Sequence, residues 1–410
     1  MTTTPGLESF APIASDHRAR RSVLVAFAIQ GLTFASIVTR LPTFKDKFDL
    51  SDLQILVLLA AVAVASGLGS LAAGYAAQRW GSAVTVRNAL LGVSVCAGLI
   101  GFSGSLWVLV LVTSLYGLCV GAADAALNIQ GVAVQDRYGR SIMTGFHAMW
   151  SGAAVVGAIY ASVAIEVGLG LIPSMLIVAV VGLALNRWSS PGLLRHVVLD
   201  AGDATGPTDH HVPWLPIVLI AIPTTVMWLS DSAASVWSGI YLEDGLGAAA
   251  SVAPIAYAAY QFVLLVVRLV GDRFVRRYGA RDVVRVSGIT ATVGLLLIVV
   301  APGLPLVLAG FALLGGGLAL IPPLSYVAAA HLDVVRGSQA IARVNLANYL
   351  GYILAAFGIA IVAETAGNRW MFVVPLILIP LVPLMARQFA PHTTPVVLAA
   401  DAAPKNRSQA

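Results

Sequence analysis

Residues 53–77 read LQILVLLAAVAVASGLGSLAAGYAA, with no charged side chain among them. A helix of about 20 such residues spans a hydrocarbon core about 30 Å thick. Runs of this kind recur twelve times, at 22–44, 53–77, 84–102, 106–134, 141–165, 170–187, 215–242, 252–271, 283–300, 305–330, 338–363 and 370–387. In lipid the backbone must satisfy its own polar groups, which leaves helices or closed barrels. The runs are continuous and not alternating, so the barrel is excluded. Composition agrees: 59% of the 410 residues are hydrophobic and 10% are charged, against roughly a quarter charged in a soluble domain. The chain is expected to be an all-α membrane protein with twelve transmembrane helices.

The arginines set the expected orientation. Arg18, Arg20 and Arg21 precede span 1, Arg79 and Arg87 lie between spans 2 and 3, and Arg137 and Arg140 between 4 and 5. Arg187, Arg195, Arg273, Arg276, Arg277, Arg281, Arg285, Arg336 and Arg387 fall on the same side, and only Lys45, Lys47 and Arg369 on the other. Cytoplasmic loops hold the excess of Lys and Arg, so both termini and the middle segment are expected in the cytoplasm. The expected divisions are a tail at 1–21, six helices at 22–187, a linker at 188–214, six helices at 215–387 and a tail at 388–410. The net charge of +5 comes from these flanks, so nucleic acid is not an expected partner. Cys96 and Cys119 both fall inside apolar spans and have no metal or disulfide spacing. The N-terminus shows no signal-peptide pattern.

The chain repeats itself. QRWGSAVTVR at 78–87 aligns with RRYGARDVVR at 276–285, an offset of 198 residues that also sets Gly139 on Gly337. Two six-helix halves in parallel duplication follow. These loops resemble the signature loops of the major facilitator superfamily. Finer detail is similar to its bacterial branch near the fucose permeases: GLTFASIVTRLP in span 1, GAADAALNIQG in span 4, TGFHAMWSGAAVVG in span 5, VWSGIYL in span 7 and RLVGDRFVRRYG closing span 8. The resemblance implies two pseudo-symmetric bundles and transport by alternating access. It also implies a proton-coupling carboxylate in span 4, where Asp124 is the matching position, and an acid in span 7, where Asp231 stands. Two departures are Gln78, where the first signature loop has an acid, and Val236, where an acid often precedes the Trp of span 7.

The residues themselves point to a polar path. In span 4, Gly117, Gly121, Asp124, Asn128, Gly131 and Gln135 step by four and three along one helical stripe. A carboxylate facing lipid costs at least about 2.5 kcal/mol, so such a stripe faces protein or a water-filled cavity. Thr224, Trp228, Asp231, Ser235 and Ser238 repeat the pattern in span 7; Thr144, His147 and Ser151 share a face in span 5. Gln30 and Thr33 in span 1, Tyr257, Tyr260 and Gln261 in span 8, and Asn345, Asn348 and Tyr352 in span 11 complete the lining. Asp124, Asp231 and His147 are the candidates to move a proton. For Asp124 the alternative is a structural carboxyl satisfied by Asn128 and a neighbouring helix, for Asp231 a pairing with Arg343 or a span-1 polar group, and for His147 hydrogen-bonded packing. Gln30, Thr33, Asn128, Ser151, Tyr257, Tyr260, Gln261, Asn345 and Asn348 are candidate substrate ligands, with Trp150 and Trp237 as stacking faces for a sugar or an aromatic drug, or as plain packing. Arg268 and Asp272, four apart, suit an ion-pair latch. With Arg79 and Arg277 they are expected to act in gating, and Arg40 either guards the cavity mouth or snorkels.

The chain has no P-loop, no Gly-x-Ser-x-Gly and no His-x-x-x-His, so an enzyme is not expected and no cofactor or metal is implied. The expected function is a proton-coupled secondary carrier for a neutral, sugar-like solute. The rivals are a proton-antiport efflux pump for drugs or metabolites, and a non-transporting receptor or scaffold. The expected partners are a small-molecule substrate, protons and the lipid bilayer, with the chain a monomer.

Overall fold

The computed structural model describes residues 12–195, 214–248, 253–332 and 337–390. The expected tails beyond these bounds, most of the 188–214 linker, and Arg336 lie outside the described residues. The first helices are α1 (Ala14–Val38), α2 (Leu41–Phe48), α3 (Asp52–Trp80), α4 (Ser82–Gly101), α5 (Leu106–Tyr138), α6 (Met143–Glu166) and α7 (Leu171–Ser189). Then follow α8 (Trp214–Ser232), a π-helical stretch, α9 (Ser238–Ile240), α10 (Ala253–Val300), α11 (Leu304–Leu318), α12 (Ile321–Ala330), α13 (Gly337–Ala366), α14 (Val373–Leu378) and α15 (Leu381–Leu384). No strand occurs among the described residues.

Among the described residues, ten helical segments are long and apolar enough to cross a membrane. One of them, Ile255–Val300, has 46 residues, about 70 Å at the helical rise and more than twice a hydrocarbon core. It is two crossings joined at Gly279, whose φ of 78° and ψ of 158° break the helix. The apolar stretch Asn368–Leu384 supplies the twelfth. Gly279 has a counterpart 198 residues earlier: Gly81, between α3 and α4, has φ 85° and ψ 147°. A side chain is strained at such φ values, which is why both loops keep a glycine. Ser105 (φ −145°, ψ 160°) and Gly303 (φ −148°, ψ 153°) start α5 and α11 at the same offset. The repeat read in the sequence is a repeat of backbone geometry.

α1 starts at Ala14, earlier than the apolar run at residue 22. Asp16 accepts the backbone N–H of Ile13 at 3.0 Å, so a cap and not hydropathy sets the helix start. At the other end α1 stops at Val38, and the run expected to continue to residue 44 breaks at Arg40 into α2.

α1, α3, α4, α5, α6 and α7 pack into one bundle; α8 and α10 to α15 pack into the other. Between α3 and α5 the backbones nearly touch. A Cβ on Gly69 would lie 1.9 Å from the Leu118 carbonyl oxygen, and one on Gly121 would lie 1.8 Å from that of Ser66. Small residues on both helices permit this approach, the means by which helices associate in lipid. The bundles meet where α3, α5 and α6 face α10, α12 and α13.

Candidate functional site

The stripe on α5 does not all face one space. Gly117 and Gly121 press on Val62 and Ser66 of α3, while Gly131 lies against Met143 and Phe146. Asp124, between them, turns toward the other bundle. Its carboxylate accepts hydrogen bonds from Gln30 Nε2 on α1 and from the Tyr349 hydroxyl on α13, the latter at 2.7 Å. Asn128 does not satisfy that carboxylate. Its Nδ2 donates to the Asp124 backbone carbonyl at 2.8 Å, and its Oδ1 lies 3.3 Å from His147 Nε2. The His147 ring stacks on Tyr326 of α12, centroids 5.9 Å apart. The Tyr326 hydroxyl lies 2.8 Å from Asn345 Oδ1 and 2.9 Å from Asn348 Nδ2, and Asn345 Nδ2 donates across the interface to Ser70 Oγ at 3.1 Å. Polar groups at this depth are expensive unless paired, and these are paired into one network.

Asp231 forms a second centre inside the C-terminal bundle. It lies just before the π-helical stretch Ala233–Trp237, a distortion frequent at functional sites. Its carboxylate accepts from Tyr260 and, at 3.1 Å, from Tyr352. The pairing of Asp231 with Arg343 does not form: the Arg343 guanidinium lies 4.4 Å from the centre of the Trp214 ring.

Arg268 is not a latch for Asp272. It is 4% exposed; its Nη1 donates to Ser151 Oγ on α6 at 2.6 Å and its Nε to the Ala319 carbonyl at 3.2 Å. That carbonyl is free because the residue four positions on is Pro323, which has no N–H to donate, at the break between α11 and α12. Arg268 precedes the Gly279 break by about 16 Å of helix, so it lies at membrane depth and struts the two bundles together.

Asp272 instead holds the start of α6. Its Oδ1 accepts from Ser141 Oγ at 2.7 Å and from the Thr144 amide at 3.2 Å; its Oδ2 accepts from the Gly145 amide at 3.1 Å. Gln135 Oε1 takes the Ile142 and Met143 amides, each at 3.1 Å. The first-turn N–H groups of α6 are thereby satisfied, and a carboxylate there is favoured by the helix dipole. Nearby, Arg276 Nη1 donates to the Ser141 carbonyl at 2.9 Å, Gln339 Nε2 donates to Gln78 Oε1 at 2.7 Å, and His331 lies 3.5 Å from Asp136. The hydrogen bonds described here that join the bundles run from the midplane to this arginine-rich end.

Of the other candidate gating residues, Arg79 and Arg277 are exposed and lie over the rings of Trp80 and Tyr278 at 6.0 and 5.4 Å. Among the described residues, neither makes a hydrogen bond or ion pair to the opposite bundle. Arg40 neither snorkels nor lines a mouth. It is 3% exposed and its Nη2 donates to the Leu169 carbonyl at 3.2 Å and to Ser174 Oγ at 3.0 Å, bracing the entry to α7. Thr33 spends its hydroxyl on its own helix, 2.9 Å from the Ile29 carbonyl. Trp150 is partly buried beside Phe34, and Trp237 is partly buried at the end of the π-helical stretch. Tyr257 is 39% exposed and receives Gln261 Nε2 at 2.6 Å. Tyr349 and Tyr326 belong to the midplane network and Gln135 to the start of α6, contacts that helix spacing alone does not reveal. Tyr349 was within reach of the sequence, four residues after Asn345 on the polar stripe of α13; its partner was not.

The comparisons with known proteins follow the same line. Residues 220–408 match the family model described as Major Facilitator Superfamily. An uncharacterised transporter of Sinorhizobium fredii, y4wD, is 29% identical over 89% of this chain and 97% of its own length. The membrane protein MosC of Rhizobium meliloti is 27% identical over 84% of each. Among solved structures, the major facilitator transporter FucP in its outward conformation superposes with a TM-score of 0.75, covering 90% of this chain and 98% of that one at 10% identity. The proton:xylose symporter XylE gives 0.70, covering 92% and 96% at 14% identity. At these identities the likeness to FucP and XylE is one of fold. Twelve crossings in two bundles around a paired polar centre, with transporters as relatives, define a multi-pass membrane transporter, not an enzyme. More narrowly, its family match, its relatives and its fold are those of major facilitator superfamily transporters.

Proposed function

We propose that the chain is a proton-coupled secondary carrier for a small, neutral, sugar-like solute. It works by alternating access, the two bundles rocking about a midplane site. One observation carries the reading: the Asp124 carboxylate is shared between the bundles, held by Gln30 on one side and Tyr349 on the other. A carboxyl in that place can take a proton in one orientation of the bundles and release it in the other, and substrate and proton occupancy are then linked through the shared conformational change. Amides and hydroxyls dominate the surrounding candidates (Gln30, Asn128, Ser151, Tyr257, Gln261, Asn345, Asn348), which suits a ligand rich in hydroxyls, with Trp150 and Trp237 as apolar faces. Asp231, with Tyr260 and Tyr352, is the second titrating centre, and His147 acts through Asn128. The fold neighbours named as transporting fucose and xylose support a sugar-like substrate by analogy. The bacterial relatives and the arginine distribution support a bacterial inner membrane with cytoplasmic termini, and the reading takes the bundles as 22–187 and 215–387 of a monomer.

Proteoliposomes loaded with a pH-sensitive dye and offered a panel of solutes test this directly. A neutral sugar or polyol should draw protons inward with it. Protons moving against the solute would identify an antiporter, and solute uptake with no proton movement would remove Asp124 from its proposed role.

A further inference from the structure

Among the hydrogen bonds at Asp124 and Asp231, one differs from the rest in kind. Gln30 travels in the same bundle as Asp124; Tyr260 and Tyr352 travel in the same bundle as Asp231. Of these four bonds, the one from Tyr349 alone joins its carboxylate to the opposite bundle, from α13 to α5. We propose that Tyr349 is the positioning residue that couples the charge on Asp124 to the relative orientation of the two bundles, and so to which end of the carrier is closed. This rests on the proton-coupled reading above and names the device within it.

The chemistry is that of an acceptor turning into a donor. An ionised carboxylate accepts from Gln30 and Tyr349 together, and a charge-assisted bond is roughly twice as strong as a neutral one. A protonated carboxyl has one oxygen committed to donating, so one incoming donor loses its acceptor or keeps a weaker, neutral one. Gln30 moves with Asp124 whatever the bundles do, so its bond biases no orientation. The Tyr349 bond exists only while the bundles hold the arrangement seen here, in which the arginine-rich end is joined. Ionised Asp124 therefore favours closure at that end, and protonation releases it. Tyr352, one turn further along α13, makes the matched control, because its bond to Asp231 stays inside one bundle.

The titratable groups around Asp124 are Tyr116 and Cys119 on its own helix, with Cys96 of α4 beyond them, Tyr349 and Tyr352 on α13, and Tyr326 on α12. His147 of α6 stands behind Asn128, with Arg268 of α10 near it. Of these, the group bonded to the carboxylate is Tyr349. Asn345 crosses the interface one turn before it, to Ser70, but a neutral amide and a hydroxyl respond to no proton.

The test is a distance measurement across the arginine-rich end. Spin labels on Arg87→Cys and Arg285→Cys, exposed positions 198 residues apart, are placed in a full-length background with Cys96→Ala and Cys119→Ala. Distances are recorded in liposomes at about pH 5.5 and about pH 8. The unmodified background should shift its closed-to-open ratio toward closed at the higher pH by about five- to tenfold, the difference between a charged and a neutral hydrogen bond. Tyr349→Phe, which removes one oxygen, should hold that shift under about twofold. Tyr352→Phe should keep it, and Asp124→Asn should hold the low-pH distribution at both values. A Tyr349→Phe variant that follows the background overturns the proposal while leaving proton coupling intact. A background with no pH shift, indistinguishable from Asp124→Asn, overturns the proton-coupled reading and the proposal with it. Thermal stability of the purified Tyr349→Phe protein, matched to Tyr352→Phe, separates loss of coupling from loss of fold.

Discussion

Asp272 and Gly74 occupy equivalent places in the two bundles, 198 residues apart, and each faces the first turn of a helix in the opposite bundle. Asp272 meets α6 with a carboxylate that accepts from Ser141, Thr144 and Gly145. Gly74 meets α13 with nothing but backbone, so close that an added Cβ would lie 2.8 Å from the Ala342 Cβ. One lock is electrostatic and the other is steric. The midplane is divided in the same spirit: Asp124 is bonded across the bundles, Asp231 within one. A duplicated backbone fixes where the halves touch. Side chains decide what each contact responds to, and only the charged ones respond to protons or salt.

The largest effect should separate the two midplane acids. Asp124→Asn keeps the shape but exchanges one acceptor oxygen for an amide donor, mimicking a proton that never leaves, so gradient-driven accumulation should fall to background while exchange at equal pH survives. Asp231→Asn should reduce accumulation and exchange together. Tracer uptake and counterflow in proteoliposomes read both, and identical behaviour of the two variants would erase the distinction. Next comes the steric lock. Gly74→Val should overpack α3 against α13 by about 1–3 kcal/mol and open the arginine-rich end, raising thiol labelling at cysteines placed behind it; unchanged labelling would show that the contact yields easily. The electrostatic lock should give less. Asp272→Asn, a lost charge at a helix start, should cost the closed state about 0.5–2 kcal/mol without abolishing ligand binding. Raised salt should weaken the wild-type lock more than that of Asp272→Asn.

The smallest effect is expected at His331, beyond the end of α12. The neighbouring Asp136 raises its pKa above the ordinary 6.5. The sign follows: the bridge is whole below about 6.5 and is lost as pH rises through the raised value. Both partners are more than a third exposed, so its worth is at most about 1 kcal/mol. In an Asp124→Asn background, where the midplane carboxylate no longer titrates, cysteine accessibility at the arginine-rich end should therefore rise slightly from neutral to alkaline pH, and His331→Gln should flatten that slope.

Much of the site was open to pattern reading. The helical step from Gly117 through Asp124 to Asn128 placed a carboxylate on a polar face, because helix periodicity is a local property. The same reading took Arg268 and Asp272 for a pair, since residues four apart on one helix are neighbours. It failed because each side chain found a stronger partner elsewhere: Arg268 the carbonyl exposed by the break after α11, and Asp272 the open amides of α6. Arg40 went the same way, drawn into the entry of α7 and away from solvent.

By itself the sequence determined the membrane, the twelve crossings, the repeat and the glycines at 81 and 279, since each depends on hydropathy, length or backbone φ. Tertiary structure alone decided that Tyr349 bonds Asp124, that Arg268 struts the bundles and that Asp272 caps α6. Those are meetings between helices far apart in the chain. Within a membrane every buried polar group must find some partner, and which one it finds depends on how the helices are rotated and stacked, information that no single helix contains.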